Sequence, residues 1–506
     1  MRQPWRNMRA MLIALSLAIS PPAIANDLRA AVATFPPGLG NPFTGANQPG
    51  SEIWMSIYDT LVMLDWGKGA HPGLALSWRM EAPNRWVFQL RPDVVYHSGK
   101  SFTAADVVGV FDVLKSPASA GYLISVEAHN VAAVKARDPL TVEIETRTPD
   151  AILPRRLATV MMIDPALWTA VGADTYAREP IGTGPYRLVS WGPANKAADL
   201  EANPRSWRAP KAVNKLSYRV IAEQNARIQA LLSNQIDLAT GLQVEDIDDL
   251  RARGFRTHVR PNPQLKSIAL RTVRDGDHPL LDVRVRRALN HAVDKGAIAD
   301  VMMEGHVTAV GQGAAPGLTG YNPDVAPYRY DPERARALLA EAGYDKGLSL
   351  NIEVVTQSAT PDALIYQKIA QDLAAVGVKV QLRSITVADY QGKYTSGQCG
   401  NVDGFSQTWN NASYQDPIRA IEYFSCLKPN PFFCDPSLVP AIKAINAELD
   451  LGRREQQLMA YMALIHDAAP AIWITNAAYV IGHSDKIPAV EMAPTGITFE
   501  RLTLAP

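Results

Sequence analysis

The chain has 506 residues, 47% of them apolar and 20% charged, with Lys+Arg and Asp+Glu at 50 each. At roughly 100–200 residues per domain this means two or three domains with a large core, and excludes both a single small module and global disorder. The zero net charge argues against a nucleic-acid-binding protein, and three cysteines are too few for a disulfide scaffold or a four-cysteine metal cluster.

The first segment stands apart from that globule. Arg2, Arg6 and Arg9 precede an apolar run over 10–19, Ser20-Pro21-Pro22 breaks any helix, and Ala23-Ile24-Ala25 supplies small residues for a signal peptidase. A basic start, a short apolar core and an A-x-A site read as a secretory signal cleaved after Ala25. The run is too short for a membrane span, which needs about 20 residues. Cleavage leaves 481 residues with 47 basic against 50 acidic side chains, because all three lost charges are arginines. No cysteine follows the site, so no lipid anchor is expected.

In chain order, residues 28–34 form a short apolar strand, and 86–91 and 141–144 alternate as strands. Thr103 caps a helix running to Leu114, with Asp106 placed for a capping box. Asp331-Pro332-Glu333 opens a helix that stops at Gly343. Residues 365–375 form another, followed by Gly377 and a strand over 378–382. A single long helix is predicted over 446–467, ended by Pro470. Helices alternating with strands imply an α/β protein, with helices layered on mixed sheets in two lobes around a cleft.

Catalytic motifs are not found. The nine histidines are scattered, with no H-E-x-x-H and no pair at i, i+4 on one helix, so no transition-metal site is signalled. Gly404-Phe405-Ser406-Gln407 lacks the second glycine of a nucleophile elbow. Gly99-Lys100-Ser101 lacks the leading glycine of a phosphate loop, where Val94 stands. Gly182-Thr183-Gly184 is followed by Pro185, which has no N–H to donate to a pyrophosphate. No catalytic residue, metal or cofactor is expected. Cys426 and Cys434 flank the turn-rich Lys428-Pro429-Asn430-Pro431; in an oxidising compartment a bridge between them is expected over two free thiols, worth roughly 2.5 kcal/mol. Cys399 has no evident partner and reads as a buried thiol.

Several blocks in series resemble the family 5 extracellular solute-binding proteins of ABC importers, the dipeptide-, oligopeptide- and nickel-binding group. They are Tyr58-Asp59-Thr60-Leu61, Pro72-Gly73-Leu74-Ala75, Trp86-Val87-Phe88-Gln89-Leu90-Arg91, Phe102-Thr103-Ala104-Ala105-Asp106 and Pro180-Ile181-Gly182-Thr183-Gly184-Pro185-Tyr186. Asp282-Val283-Arg284-Val285-Arg286-Arg287, Tyr330-Asp331-Pro332-Glu333, the Cys426/Cys434 pair and His466-Asp467-Ala468-Ala469-Pro470 complete the series. The resemblance implies a class II periplasmic-binding-protein fold of two lobes, the first with an added subdomain. By that likeness 26–60, 181–267 and 476–506 form the first lobe, 61–180 its added subdomain, and 268–475 the second lobe. Gly182 and Gly184 would permit a tight turn at a lobe crossing. Asp282 would cap a helix whose Arg284, Arg286 and Arg287 lie on or near solvent faces.

The same resemblance implies a monomeric periplasmic receptor that passes a peptide or peptide-like solute to a membrane permease and its ATPase subunits. A secreted hydrolase with a hidden catalytic pair, or a receptor feeding a sensor, are the alternatives. Ligand contacts would come from Phe35, at the end of the first strand, and from the segment Trp409-Asn410-Asn411-Ala412-Ser413-Tyr414-Gln415-Asp416-Pro417. Trp409 offers a face for stacking or for core packing; Asn410, Ser413 and Tyr414 offer polar groups. Arg271, at the implied hinge crossing, could receive an anion or sit in an ion pair. Peptide-binding members carry an aspartate three residues after the tryptophan, where Ala412 (or Ser413) stands here. Dipeptide specialists carry an arginine where Ala363 and Leu364 stand. A buried charge without a partner is costly, so the expected ligand is less zwitterionic than a free dipeptide. Nickel is disfavoured by the scattered histidines.

Overall fold

The computed structural model describes residues 26–45, 50–66, 69–192, 194, 196–355, 362–494 and 496–505, so the expected signal segment and its cleavage site lie outside the described residues. The architecture is α/β, built on one mixed ten-stranded sheet. Its strands run, edge to edge, Val378–Ile385, Leu348–Val355, Gly404–Asn410, Arg256–Leu270, Ala471–His483, Leu238–Leu242, Asp27–Val32, Lys215–Val220, Ala197–Ala202 and Tyr186–Gly192. A separate antiparallel sheet of Ala75–Ala82, Arg85–Leu90, Thr141–Thr146 and Val131–Asp138 forms the body of the added subdomain.

Local chemistry explains most of the element starts. Thr103 donates its backbone N–H (2.8 Å) and hydroxyl (3.1 Å) to the Asp106 carboxylate, at the head of the helix Ala104–Lys115. Asp331 accepts from the Arg334 amide at 2.9 Å and Pro332 fills the first turn of Pro332–Glu341, while Asp282 accepts from the Arg284 amide at 2.8 Å. The helix expected over 365–375 runs from Asp362 to Ala374, and Gly377, at φ +86°, turns the chain into the strand Val378–Ile385.

Two expectations need correction. The long helix over 446–467 is two helices, Val439–Ala447 and Leu451–Ala468. Asp450 breaks the run by capping the second one through the Arg453 amide at 2.8 Å. Arg286 does not lie at the solvent face: it is buried, and its guanidinium donates to the carbonyls of Leu280, Leu281, Ala468 and Ala469. Gly182 and Gly184, expected to permit a tight turn, are also required by close approach to the segment at Ile57. A Cβ on Gly182 would lie 2.0 Å from the Ile57 carbonyl oxygen, and one on Gly184 2.5 Å from the Ile57 carbonyl carbon.

The buried apolar side chains fall into three groups. Trp54, Tyr58, Phe88, Phe111, Tyr186 and Tyr218 pack the first part of the molecule together with its added subdomain. A second group joins Ala31, Leu231 and Leu242 to Val285, Leu289 and Leu350 through the central sheet. The third centres on Phe405, Trp409, Tyr414 and Trp473, and takes in Ile152 from the subdomain side. Cys426 and Cys434 are bridged, and Cys399 is a buried free thiol. Among the described residues no helix is long and apolar enough to cross a membrane.

Candidate ligand cleft

The strand register defines where the molecule can open. Arg256–Leu270 and Ala471–His483 pair antiparallel from Arg256↔His483 to Ala269↔Ala471. At one end Leu238–Leu242 joins them through residues 480–483, and at the other Gly404–Asn410 pairs with residues 264–270. Two long strands therefore carry the chain between the halves of the sheet. Their pairing is broken between Asn262 and Leu265, and again between Leu265 and Ser267. Such register shifts bend a strand and let it twist more sharply. The strands Asp27–Val32, Lys215–Val220 and Leu238–Leu242 run parallel toward this region from one side. Leu348–Val355, Val378–Ile385 and Gly404–Asn410 run parallel toward it from the other. The carboxyl ends of both sets thus oppose each other, which is where open α/β sheets bind ligands.

The expected site residues occupy different parts of this region. Phe35, three residues past Val32, is half-buried and meets Trp191 edge-on at 5.5 Å. Trp409 has no exposed surface: it stacks on Phe424 at 4.0 Å, leans on Trp473 at 4.8 Å, and lies within 2.8 Å of where a Cβ on Gly313 would sit. Among the described residues its Nε1–H finds no acceptor. In this structure its rings pack against Phe424 and Trp473. Asn410 and Ser413 form a closed turn, with Asn410 Nδ2 donating to Ser413 Oγ at 2.9 Å and the Ser413 amide donating to Asn410 Oδ1 at 3.2 Å. Asn411 fastens the segment behind it by donating to the carbonyls of Pro263 (3.2 Å) and Gly313 (3.1 Å).

Tyr414 faces Glu127. It is buried, and its hydroxyl donates to Glu127 of the added subdomain. Burial, then the Glu127 charge, pushes its phenol well above the usual range. Arg271 is engaged with backbone carbonyls. It follows the end of Arg256–Leu270, beyond the register breaks that mark the crossing, and its guanidinium donates to the carbonyls of Val273 (3.0 Å) and Gly400 (2.7 Å). Among the described residues, surface open at the opposed strand ends includes Phe35, the exposed Thr408 and the half-buried Lys266, which pairs with it across the strands.

Charged residues that sequence motifs did not reveal surround Tyr414. Glu127 Oε1 lies 3.6 Å from Arg419 Nε. Arg156 is ion-paired on one side with Asp150 (3.0 Å) and on the other donates to both carboxylate oxygens of Glu422 (3.3 Å each). Arg155 donates to the Gln415 carbonyl at 3.0 Å. Asp416, fully buried, takes two hydrogen bonds from Arg454 at 2.6 and 3.1 Å. Burial alone would raise the Asp416 carboxyl, but the Arg454 charge and hydrogen bonds reverse that and hold it below the usual carboxylate range. Burial raises the Glu127 carboxyl, opposed by the charges of Arg419 and Arg156. Glu127 and Tyr414 lie 287 residues apart in the chain, so no local pattern could have announced them. Among the described residues no group of three His, Cys, Asp or Glu side chains could hold a metal ion.

Two half-sheets with opposed strand ends, joined by two crossing strands, define a two-lobed solute-binding protein. The family model described as bacterial extracellular solute-binding proteins, family 5 (middle), matches residues 69–430. The chain belongs to this family, and is a substrate-binding protein of the kind that serves ABC importers. It is 26% identical over 516 residues to the glutathione-binding protein GsiB of Escherichia coli (strain K12), covering 97% of each chain. It is 30% identical over 322 residues to GsiB of Pectobacterium atrosepticum, covering 61% of this chain and 60% of that one. Its fold is similar to that of the periplasmic binding protein DppA from Helicobacter pylori, solved with the peptide STSA: the TM-score is 0.80 at 22% identity, over 95% of this chain and 98% of that one.

Proposed function

We propose that this protein captures a short peptide, longer or more modified than a free dipeptide, between its two lobes and delivers it to an ABC permease. The observation that carries the ligand class is the state of the one acid in the segment beyond Gly404–Asn410. Asp416 is buried and bonded to Arg454, and Ala412 stands where a peptide-binding relative would offer a carboxylate. A ligand ammonium buried there would lack an opposite charge, which is costly, so backbone hydrogen bonds and shape are left as the means of recognition. Glutathione, named as the ligand of two similar proteins, is a modified tripeptide of suitable length, but it carries one ammonium and two carboxylates, so its charged ends would have to stay in contact with water. Phe35, Thr408 and Lys266 would line the cleft, with the Asn410–Ser413 turn presenting backbone groups and Trp409 supporting it from behind.

The lobes would comprise 26–60, 181–267 and 476–506 for the first, with 61–180 as its subdomain, and 268–475 for the second. The protein would act as a monomer in the periplasm after cleavage behind Ala25, and would leave its ligand chemically unchanged. Thermal unfolding of ligand-stripped protein with glutathione, tripeptides, tetrapeptides or unmodified dipeptides tests the ligand class. A ligand at 100 times its Kd adds about 2.7 kcal/mol, or a few degrees in a chain this size. Glutathione or a longer peptide is expected to raise the Tm by that much, with the peptide recovered intact, and dipeptides to leave it within about a degree. Selective stabilisation by dipeptides would overturn the assignment.

A further inference from the structure

The charges around Tyr414 form a network with a particular balance. From the subdomain side come Glu127, Asp150, Arg155 and Arg156; from the second lobe come Asp416, Glu422, Arg419 and Arg454. Each side is neutral alone, yet the contacts interleave across the boundary. Tyr414 donates to Glu127, Arg419 lies beside Glu127 at 3.6 Å, Arg156 holds Glu422 at 3.3 Å, and Arg155 reaches the Gln415 carbonyl at 3.0 Å. The Arg156 guanidinium also lies 5.2 Å from the centre of the Tyr414 ring, and Arg419 5.0 Å from that of Tyr423. Ile152 adds an apolar contact by packing among the second lobe's buried side chains. The side chains of Glu127, Arg156 and Arg419 are 1%, 13% and 10% exposed, so these pairs are largely removed from water.

A two-lobed receptor closes when something stabilises the closed form over the open one. Ligand contacts are one source of that difference. Here a second source is built entirely from protein groups, and its charges balance with nothing added. Separating the lobes would return Glu127, Arg419 and Glu422 to water and break every cross-boundary contact, so the balance between these contacts and hydration enters the closing equilibrium whether or not the cleft is filled.

We propose that Glu127, Arg155 and Arg156 form a latch with Tyr414, Arg419 and Glu422 that holds the ligand-free protein closed for a substantial fraction of the time. Because a ligand's apparent affinity scales with the fraction of protein in the binding-competent state, the latch also sets affinity without touching the ligand. It further makes Tyr414 a lobe-locking residue.

The test requires no ligand. Spin labels at Lys135→Cys and Glu455→Cys, both exposed and on opposite sides of the boundary, report lobe separation by pulsed dipolar spectroscopy. The ligand is stripped by unfolding and refolding with the disulfide intact. The expected result is a distance distribution dominated by the closed separation in the otherwise wild-type protein. In Glu127→Gln/Arg419→Gln it should move largely to a longer separation, and Tyr414→Phe, which loses one hydroxyl, should fall between. Near-UV circular dichroism verifies that each variant is folded, and small-angle scattering gives an independent radius. A stripped wild-type protein as open as the double variant would overturn the latch, as would a folded double variant that stays closed. Either result would leave the ligand class untouched, since no peptide is present.

Discussion

At the scale of single residues, what decides the behaviour of the buried acids is whether each has a cation. Asp416 has Arg454 and is held ionised, whereas Glu52 has none. The Glu52 carboxyl accepts a hydrogen bond from Tyr479, on one of the two crossing strands, and its second oxygen is buried without a partner among the described residues. Burial pushes it from 4.5 up to about 7, with the Tyr479 hydrogen bond acting in the other direction. Between those values the folded protein holds more protons than the unfolded chain, so this group's contribution to stability falls as pH rises from about 4.5 to 7. Glu52→Gln keeps the shape and removes the titration. In urea unfolding the variant should gain on the wild type between pH 5 and pH 8, by roughly 2 kcal/mol. A difference independent of pH would show that Glu52 does not titrate in this range.

At the scale of elements, features with a local cause were open to sequence analysis. The Thr103–Asp106 box, the Asp331-Pro332 start and the Gly377 turn each depend on neighbours within a few residues. The Cys426–Cys434 bridge closes so short a loop that its pairing could be named in advance. Replacing both cysteines with serine should cost roughly 2.5 kcal/mol, read as a lower urea midpoint with an almost unchanged slope. A loss below about 0.5 kcal/mol would mean that the surrounding fold already fixes the loop. Where the cause is distant, no local pattern carries it. Arg286 looks like a surface arginine until the carbonyls of Ala468 and Ala469 arrive from another helix end. Trp409 carries the same local pattern whether it meets a ligand or Phe424, and only the fold brings in Phe424 and Trp473. The break at Asp450 was missed because apolar spacing continues across it, while one carboxylate cap ends the helical run.

At the scale of the molecule, the family resemblance in the sequence carried the two-lobed plan, and the register supplies its mechanics. Two strands cross with breaks between Asn262 and Ser267, so the halves can rotate without disturbing the parallel strands on either side. The arginine–carboxylate latch bridges residues from the subdomain to the segment around Tyr414. No periodicity or motif in the sequence connects them, because the partners meet only through the fold.

The central claim is that a peptide-sized solute sits between the opposed strand ends and touches both halves. Hydrogen exchange of the stripped protein with and without glutathione tests it most directly. Slower exchange is predicted in peptides covering 33–45 from the first half and 404–416 from the second, with the outer subdomain strands at 75–90 unchanged. Slowing confined to one half, or spread equally into the subdomain sheet, would contradict the account.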